Sequence, residues 1–598
     1  MGTQFPRFFF LLLCVVTSWC QQLVLARAEE NLWLVRDGNA CATIVFGRGD
    51  DFAAERLQRF LTEQSGATVE TIPAERWQAF PKNTIDKDCV VLVGSEQSNP
   101  VLKKLGGQFG LKLDPAGLTE QGYVAKRISH EGRDWLILAG GGRDGSQYAV
   151  VDLFQGKLQH AGQNVWLASL DAREIPRFRY RWFWNWDNRM DWGGPGELGS
   201  VMAHGDGPNK NTKKPEAFLI DGKHCIDYMA DHKWNGLILW GFLRDSHGGI
   251  EASRELCRYA AHRGVRILPG VGTSGYTGYY YEGDNEFNGD TWLAMHPELR
   301  AIGKDGKPHQ VPCPSKKENQ KWLDRGAEWL FGNFEIGGVN LEMGDFFVCY
   351  CDDCKQARAA IESSEPDYYK DMAISHSVTL ATMRKLAPEA WLSYATYTGY
   401  TAEMVQTPPK FLSMIPDDAV CQWTLSKMVK KPWDASIRPL AKHNIGYLHW
   451  CNVPSGTAHD FYLSEVQMVC RQAAAAGFEG LDTYGELSNE QPNVEISYLA
   501  WETFLWNPEM TLEEFADQRL APLYGGKEPA RALLEIIPLV RTAKERANME
   551  NLVRATALAD SARKSAAPEG ISHWDRLLNY LAERRADAKK ARDLNDKK

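Results

Sequence analysis

Two short stretches hold the residues best suited to chemistry. Residues 339–345 read Val-Asn-Leu-Glu-Met-Gly-Asp, which sets Glu342 in an otherwise apolar strand end with Asp345 three positions on. Residues 482–486 read Asp-Thr-Tyr-Gly-Glu and supply Asp482 and Glu486. Hydrolysis of a glycoside needs two carboxyl groups flanking the scissile bond, one held protonated to donate to the leaving oxygen and one ionised as nucleophile or base. Burial in apolar surroundings raises a carboxyl pKa, so Glu342 is the candidate acid. Glu486 or Asp482 is the candidate second carboxylate. Asp345 either orients Glu342, binds a hydroxyl or caps a turn.

Aromatic and amide side chains recur at similar positions. They are Trp184, Asn185 and Asp187; Trp240; Tyr397; Trp423; His449 and Trp450; and Tyr484. The chain has 21 tryptophans, for which core packing accounts in part and carbohydrate binding is the other explanation. Flat aromatic faces stack on the C–H faces of sugars while polar groups bind the hydroxyls. These residues are therefore the candidate substrate-binding set, with a carbohydrate as the expected partner. Asp187 is read as a ligand of sugar hydroxyls, and His449 as a substrate ligand or a satisfied core histidine.

A separate cluster, Cys349-Tyr-Cys351-Asp-Asp-Cys354, follows Glu342 closely. With a fourth ligand such as Cys313 it could hold a structural zinc ion; in an oxidising compartment the same residues could pair as disulfides. Either would pin the loop beside Glu342. No cofactor is required by the expected reaction.

The elements that must position these residues come from a pattern of strand-length apolar runs. Eight lie at 178–186, 236–242, 265–273, 337–345, 391–397, 419–424, 446–452 and 478–484, several preceded by helix-like segments such as 251–263, 320–331 and 463–476. Eight strand–helix alternations predict a (β/α)₈ TIM barrel over residues 175–506, whose active site lies at the C-terminal strand ends. The candidates above gather at those ends.

Residues 29–174 predict a small N-terminal α+β domain, and 507–598 a charged helical region with a capping box at Thr511–Glu514. The fold class is α/β. In the first domain Gly140, Gly142 and Gly145 match G-x-G-x-x-G between a strand and a helix, and Asp171 follows the next strand-like run. That outline suits a dinucleotide and an oxidoreductase. Its alternative is a glycine-rich turn that lets a helix pack closely on a sheet. The unit stands last in its domain, whereas a Rossmann domain opens with it, which favours the turn.

Residues 1–28 read as a secretory leader: Arg7, an apolar run over 8–16, and Ala26-Arg27-Ala28 as a cleavage site. The mature chain is expected to be secreted or periplasmic. The run is too short to span a membrane. A net charge of −9 argues against nucleic acid as partner. Thirteen cysteines in 598 residues are too few for a disulfide-dense scaffold.

Several stretches carry a family resemblance. Gly122-Tyr-Val, the run Gly140-Gly-Gly-Arg-Asp-Gly-Ser-Gln-Tyr-Ala149 and Asp152-Leu-Phe154 resemble the small domain that precedes the barrel in α-glucuronidases and bacterial β-hexosaminidases. Ile175-Pro-Arg-Phe-Arg-Tyr-Arg181 resembles their entry into the first barrel strand. The segment Asn340-Leu-Glu-Met-Gly-Asp-Phe with its cysteines, and Tyr498-Leu-Ala-Trp-Glu-Thr-Phe-Leu-Trp-Asn-Pro508, are similar to secreted barrels related to those enzymes. The resemblance implies a glycosidase, a structural role for the glycine-rich turn, and Glu342 as acid by its place on the fourth strand. The hexosaminidases carry an adjacent Asp-Glu pair there; here Leu341 precedes Glu342, so the resemblance does not extend to cleavage assisted by an acetamido group. The α-glucuronidase pattern around the acid is absent too. A carbohydrate-binding barrel without turnover is the alternative reading.

Overall fold

The computed structural model describes residues 31–77, 88–130, 132–193, 203–204, 211–276, 278–344, 347–399, 402–425, 433–448, 461–542 and 549–595. The leader expected over 1–28 lies outside them. The chain divides into two compact units, one ending at Ile175 and one beginning at Pro176.

The first unit is built on a six-stranded sheet. Its spatial order is Asp171–Glu174, Tyr123–His130, Arg133–Gly140, Cys89–Gly94, Ala42–Phe46 and Glu70–Pro73. The last four of these are mutually parallel, and the first two run antiparallel to their neighbours. Cys89–Gly94 lies between two parallel partners and is buried at every position, which explains its unbroken apolar run. Helices Asp51–Ser65 and Arg143–Gly156 pack together through the stacked rings of Phe60 and Phe154, 5.4 Å apart.

The glycine-rich turn of this unit is filled by the protein's own backbone. Gly141 N–H donates to Gly122 O at 2.9 Å, and Gly145 N–H to Glu120 O at 3.2 Å. A Cβ on Gly141 would fall 1.9 Å from Thr119 O, and one on Gly145 2.1 Å from Gly122 O. The space where a pyrophosphate would meet the helix N-terminus is taken by residues 119–122. The oxidoreductase alternative is therefore corrected: these glycines allow close helix–strand packing and bind no dinucleotide.

The second unit is a closed barrel of eight parallel strands in sequential order: β1 Tyr180–Trp186, β2 Gly236–Trp240, β3 Arg266–Gly272, β4 Gly338–Glu342, β5 Trp391–Gly399, β6 Val420–Thr424, β7 His443–Leu448 and β8 Gly480–Tyr484. β1 pairs with both β2 and β8, which closes the ring. The expected strand set is present. The seventh begins three residues earlier than its apolar run suggested, because His443 and Asn444 pair with Val420 and Cys421 despite their polarity.

Tyr180, Trp182, Trp184, Ile238, Trp240, Leu268, Trp391, Val420, Ile445, Tyr447 and Tyr484 form one buried cluster inside the barrel. An eight-stranded barrel has room for little more than its inward side chains. Indole rings fit because glycines stand beside them. A Cβ on Gly236 would lie 2.3 Å from the Trp182 ring, and one on Gly270 2.2 Å from the Trp240 ring. Helix Pro492–Trp506, which follows β8, is buried on all sides. Its inner face packs Tyr498 on Phe183 of β1 at 5.0 Å, and Arg576 of the final helix Ile571–Asn595 donates to its Glu495 at 2.9 Å. The C-terminal helices thus belong to the barrel unit. The capping box at Thr511 and Glu514 is present.

Gly270→Ala is expected to destabilise the protein by about 1–3 kcal/mol, the usual range for overpacking a filled core. Chemical denaturation would measure it, and an unchanged midpoint would mean that the Trp240 ring has room to move.

Candidate active site at the barrel mouth

A directed chain of hydrogen bonds crosses the barrel interior below the mouth. Trp240 Nε1 donates to Asn340 Oδ1 at 3.3 Å, and Asn340 Nδ2 donates to Gln422 Oε1 at 3.0 Å and to Ser393 Oγ at 2.9 Å. Ser393 Oγ donates in turn to Val339 O at 3.0 Å. Gln422 Nε2 then donates to Asp482 Oδ2. Apart from Ser393, the side chains come from β2, β4, β6 and β8, the alternate strands that share a layer in this fold. Because Asn340 donates to Gln422 Oε1, the Gln422 amide must present its N–H₂ to Asp482. Burial pushes the Asp482 carboxyl well above the usual carboxylate range, and the nearby Glu342 charge pushes it further. Its Oδ1 makes no hydrogen bond among the described residues.

Glu342 ends β4 and is 2% exposed. Its carboxyl lies within electrostatic reach of Asp482, Tyr447, Tyr484 and Tyr281, so it faces the interior. Its backbone oxygen accepts from Thr273 N at 2.9 Å. His376 Nε2 lies 3.1 Å from Thr273 Oγ1, and burial lowers that imidazole to about 3, so it is neutral.

Glu486 stands just beyond β8. Its Oε1 accepts from Trp186 N at 3.1 Å. Burial pushes its carboxyl up to about 8, against smaller opposing effects from the Trp186 N–H and Arg189. β4 and β8 are four strands apart in a ring of eight, so Glu342 and the β8 carboxyls stand on opposite walls.

The other sequence candidates divide by the two-residue alternation of a strand. Trp184, Trp240 and Tyr484 point inward and line the interior. Asn185 and Trp423 point outward, which corrects their reading as substrate ligands. Asn185 grips the Gly485 backbone from both sides: Nδ2 donates to Gly485 O at 3.0 Å, and Oδ1 accepts from Gly485 N at 2.8 Å. It therefore positions Glu486. Trp423 donates to Asn444 Oδ1 at 2.9 Å and packs near Phe411 of the outer layer. Asp187 is corrected as well. It is wholly buried, with Arg244 Nε at 2.8 Å and His247 Nε2 at 3.0 Å from one oxygen, so it fastens the loop after β2 instead of meeting a sugar. Asp345, His449, Trp450 and the Tyr397 side chain lie outside the described residues.

The structure adds three aromatic residues to the mouth. Trp186, at the end of β1, contacts Tyr276 and Tyr281 with ring centroids at 5.4 and 5.8 Å. Tyr276 is 36% exposed and has a φ of 51°, a left-handed conformation that costs a non-glycine residue about 1–2 kcal/mol. Its loop is held over the β4 exit: Gly275 N donates to Met343 O at 2.6 Å. The sequence signal was the Tyr-rich run 276–281 directly after β3. Arg244 lies 4.7 Å over the Tyr281 ring.

Cys349, Cys351 and Cys354 converge with Cys313 beside the β4 exit. No disulfide joins any of the four.

The class defined by this geometry is a (β/α)₈ barrel with carboxyl groups and aromatic rings at its C-terminal mouth, preceded by a small α/β unit. No family model and no curated protein matches the sequence. Solved structures similar in course include a GH20 exo-β-N-acetylglucosaminidase from Vibrio harveyi, 13% identical, over 85% of this chain and 75% of that one, TM-score 0.47. A β-N-acetylhexosaminidase from Bacteroides fragilis is 14% identical over 83% of this chain and 92% of its own, TM-score 0.48. A chitobiase from Flavobacterium johnsoniae is 11% identical over 95% and 92%, TM-score 0.46. None of these three is an α-glucuronidase, the other half of the sequence resemblance.

A carboxyl that keeps its proton to about pH 8 in the fold but loses it near 4.3 when unfolded makes stability fall as pH rises between those values. Glu486→Gln removes that dependence. The melting temperature of the wild type is expected to drop relative to the variant from pH 5 to pH 8 in differential scanning fluorimetry. A difference independent of pH would show that Glu486 titrates normally.

Proposed function

We propose that the protein is a glycoside hydrolase acting on a glycan or oligosaccharide, with Glu486 as proton donor and Glu342 as the ionised carboxylate. The observation that carries this reading is that Glu342 at the end of β4 and Glu486 just beyond β8 stand on opposite walls of the barrel, with burial raising the Glu486 carboxyl to about 8. The sequence reading cast Glu342 as the acid; the reverse division is preferred here because burial raises the Glu486 carboxyl to about 8. A buried acid with a raised pKa facing a second carboxyl is the pattern of carboxylate pairs that split these roles. Asp482, a layer deeper and bonded to Gln422, supports the floor of the site and is not the donor. Trp186, Tyr276 and Tyr281 supply faces for sugar rings.

One observation favours a carbohydrate-binding barrel without turnover: Glu342, Asp482 and Glu486 are 2%, 1% and 0% exposed. A hydrolysis screen against chromogenic uronides, hexosaminides and neutral hexosides separates the two. Turnover is expected on one class, falling as pH rises through about 8. Glu342→Gln and Glu486→Gln are each expected to lower kcat by about 10²–10⁴-fold, the usual range for a general acid or base. Binding detected by tryptophan fluorescence with no turnover on any class would establish the binding barrel instead.

A further inference from the structure

We infer that Cys313, Cys349, Cys351 and Cys354 bind one tetrahedral zinc ion, which staples the loops that follow β3 and β4. Cys313 Sγ lies 3.4 Å from Cys354 Sγ, 3.6 Å from Cys351 Sγ and 3.7 Å from Cys349 Sγ. All four sulfur atoms lie within 4.8 Å of one another. Four thiolates at the Zn–S distance of about 2.3 Å would stand about 3.8 Å apart along the edges of a tetrahedron. A disulfide would bring two sulfurs to about 2.05 Å and leave the others without a role. Here one sulfur is nearly equidistant from three, which is the spacing of ligands around a common centre.

The surroundings suit thiolates. Ile302 N–H points at Cys349 Sγ at 3.4 Å, and Cys354 N–H at Cys351 Sγ at 3.4 Å. Ser315 Oγ lies 3.1 Å from Cys354 Sγ. Cys351 is the N-cap of helix Asp352–Ala359, so the helix N-terminus faces the cluster, where its partial positive charge favours an anion. Second-sphere N–H donors of this kind are what holds metal-bound sulfur in place. The ligands come from two distant parts of the chain. Cys313 follows the hairpin Arg300–Ile302 and Pro308–Pro312 in the long β3 loop; the other three follow Glu342 by 7 to 12 residues. The two parts also share Tyr350 N→Ile302 O at 2.7 Å. Arg358 pairs with Asp371 at 2.7 Å, and Asp371 accepts from Cys349 N at 3.1 Å, which braces the knuckle from behind. An ion here ties the cover of the mouth to the strand that carries Glu342.

Elemental analysis of the full chain, purified with reductant and without chelator, is expected to find about one zinc per chain. Cys351→Ser should lower that content at least two-fold, and Cys41→Ser, outside the cluster, should leave it unchanged. Removing the metal with a chelator should lower the melting temperature of the wild type. Should Cys351→Ser fail to fold, cobalt exchange into the wild type decides: an S₄ tetrahedral cobalt spectrum supports the site. Iron in place of zinc, or no metal together with mass-spectrometric evidence that the four cysteines resist alkylation without reductant, would overturn the inference.

Discussion

Buried amides and acids must satisfy one another, and in this barrel they do so in a fixed order. The chain from Trp240 through Asn340 and Gln422 to Asp482 starts at a group that only donates. Each side chain then has one orientation left to it. Asp482 ends the chain as an acceptor in a buried interior, which is why its carboxyl lies well above the usual carboxylate range. A partly satisfied network of this kind is costly and a connected one is rigid. It gives the mouth a floor whose hydrogen bonds do not need to be remade when Glu342 and Glu486, one level above, meet a ligand.

The same economy of space governs the apolar part. Tryptophan is too large for several strands of an eight-stranded barrel to carry at one level, so the neighbouring strand carries glycine. Gly236 beside Trp182 and Gly270 beside Trp240 are vacancies that the indoles occupy. The aromatic content reads as sugar chemistry from composition, yet Trp182, Trp234 and Trp322 are among the largest fully buried side chains. Among the described residues of the barrel interior and mouth, it is the upper tier, Trp186 with Tyr276 and Tyr281, that combines an aromatic cluster with an exposed member.

Much of this was legible in the chain. The barrel strands announce themselves because parallel strands buried on both faces are apolar throughout, and their ends identify the mouth. Parity within a strand was the part that composition did not express. Asn185 and Trp423 sit at strand ends like true lining residues, but each lies one position from an inward neighbour and so faces the helices. Asp187 misled for a different reason: its partners Arg244 and His247 lie about 60 positions away, and a long-range ion pair leaves no local pattern. The glycine-rich turn was ambiguous because close packing and phosphate binding both ask for residues without a Cβ, and only the position of residues 119–122 separates them.

The seam between β1 and β8 has a consequence for how the candidate site forms during synthesis. Asn185 and Gly485, whose mutual hydrogen bonds set Glu486, are 300 positions apart. Trp186 and Glu486 share the same separation. Contacts of this span are the slowest to form, since the loop must close before they return anything. A chain released or arrested before its eighth strand could fold local βα units and still lack the setting of Glu486. The setting of Glu486 comes into being only when the ring shuts, so its burial reports completion of the barrel and not the formation of any one part of it.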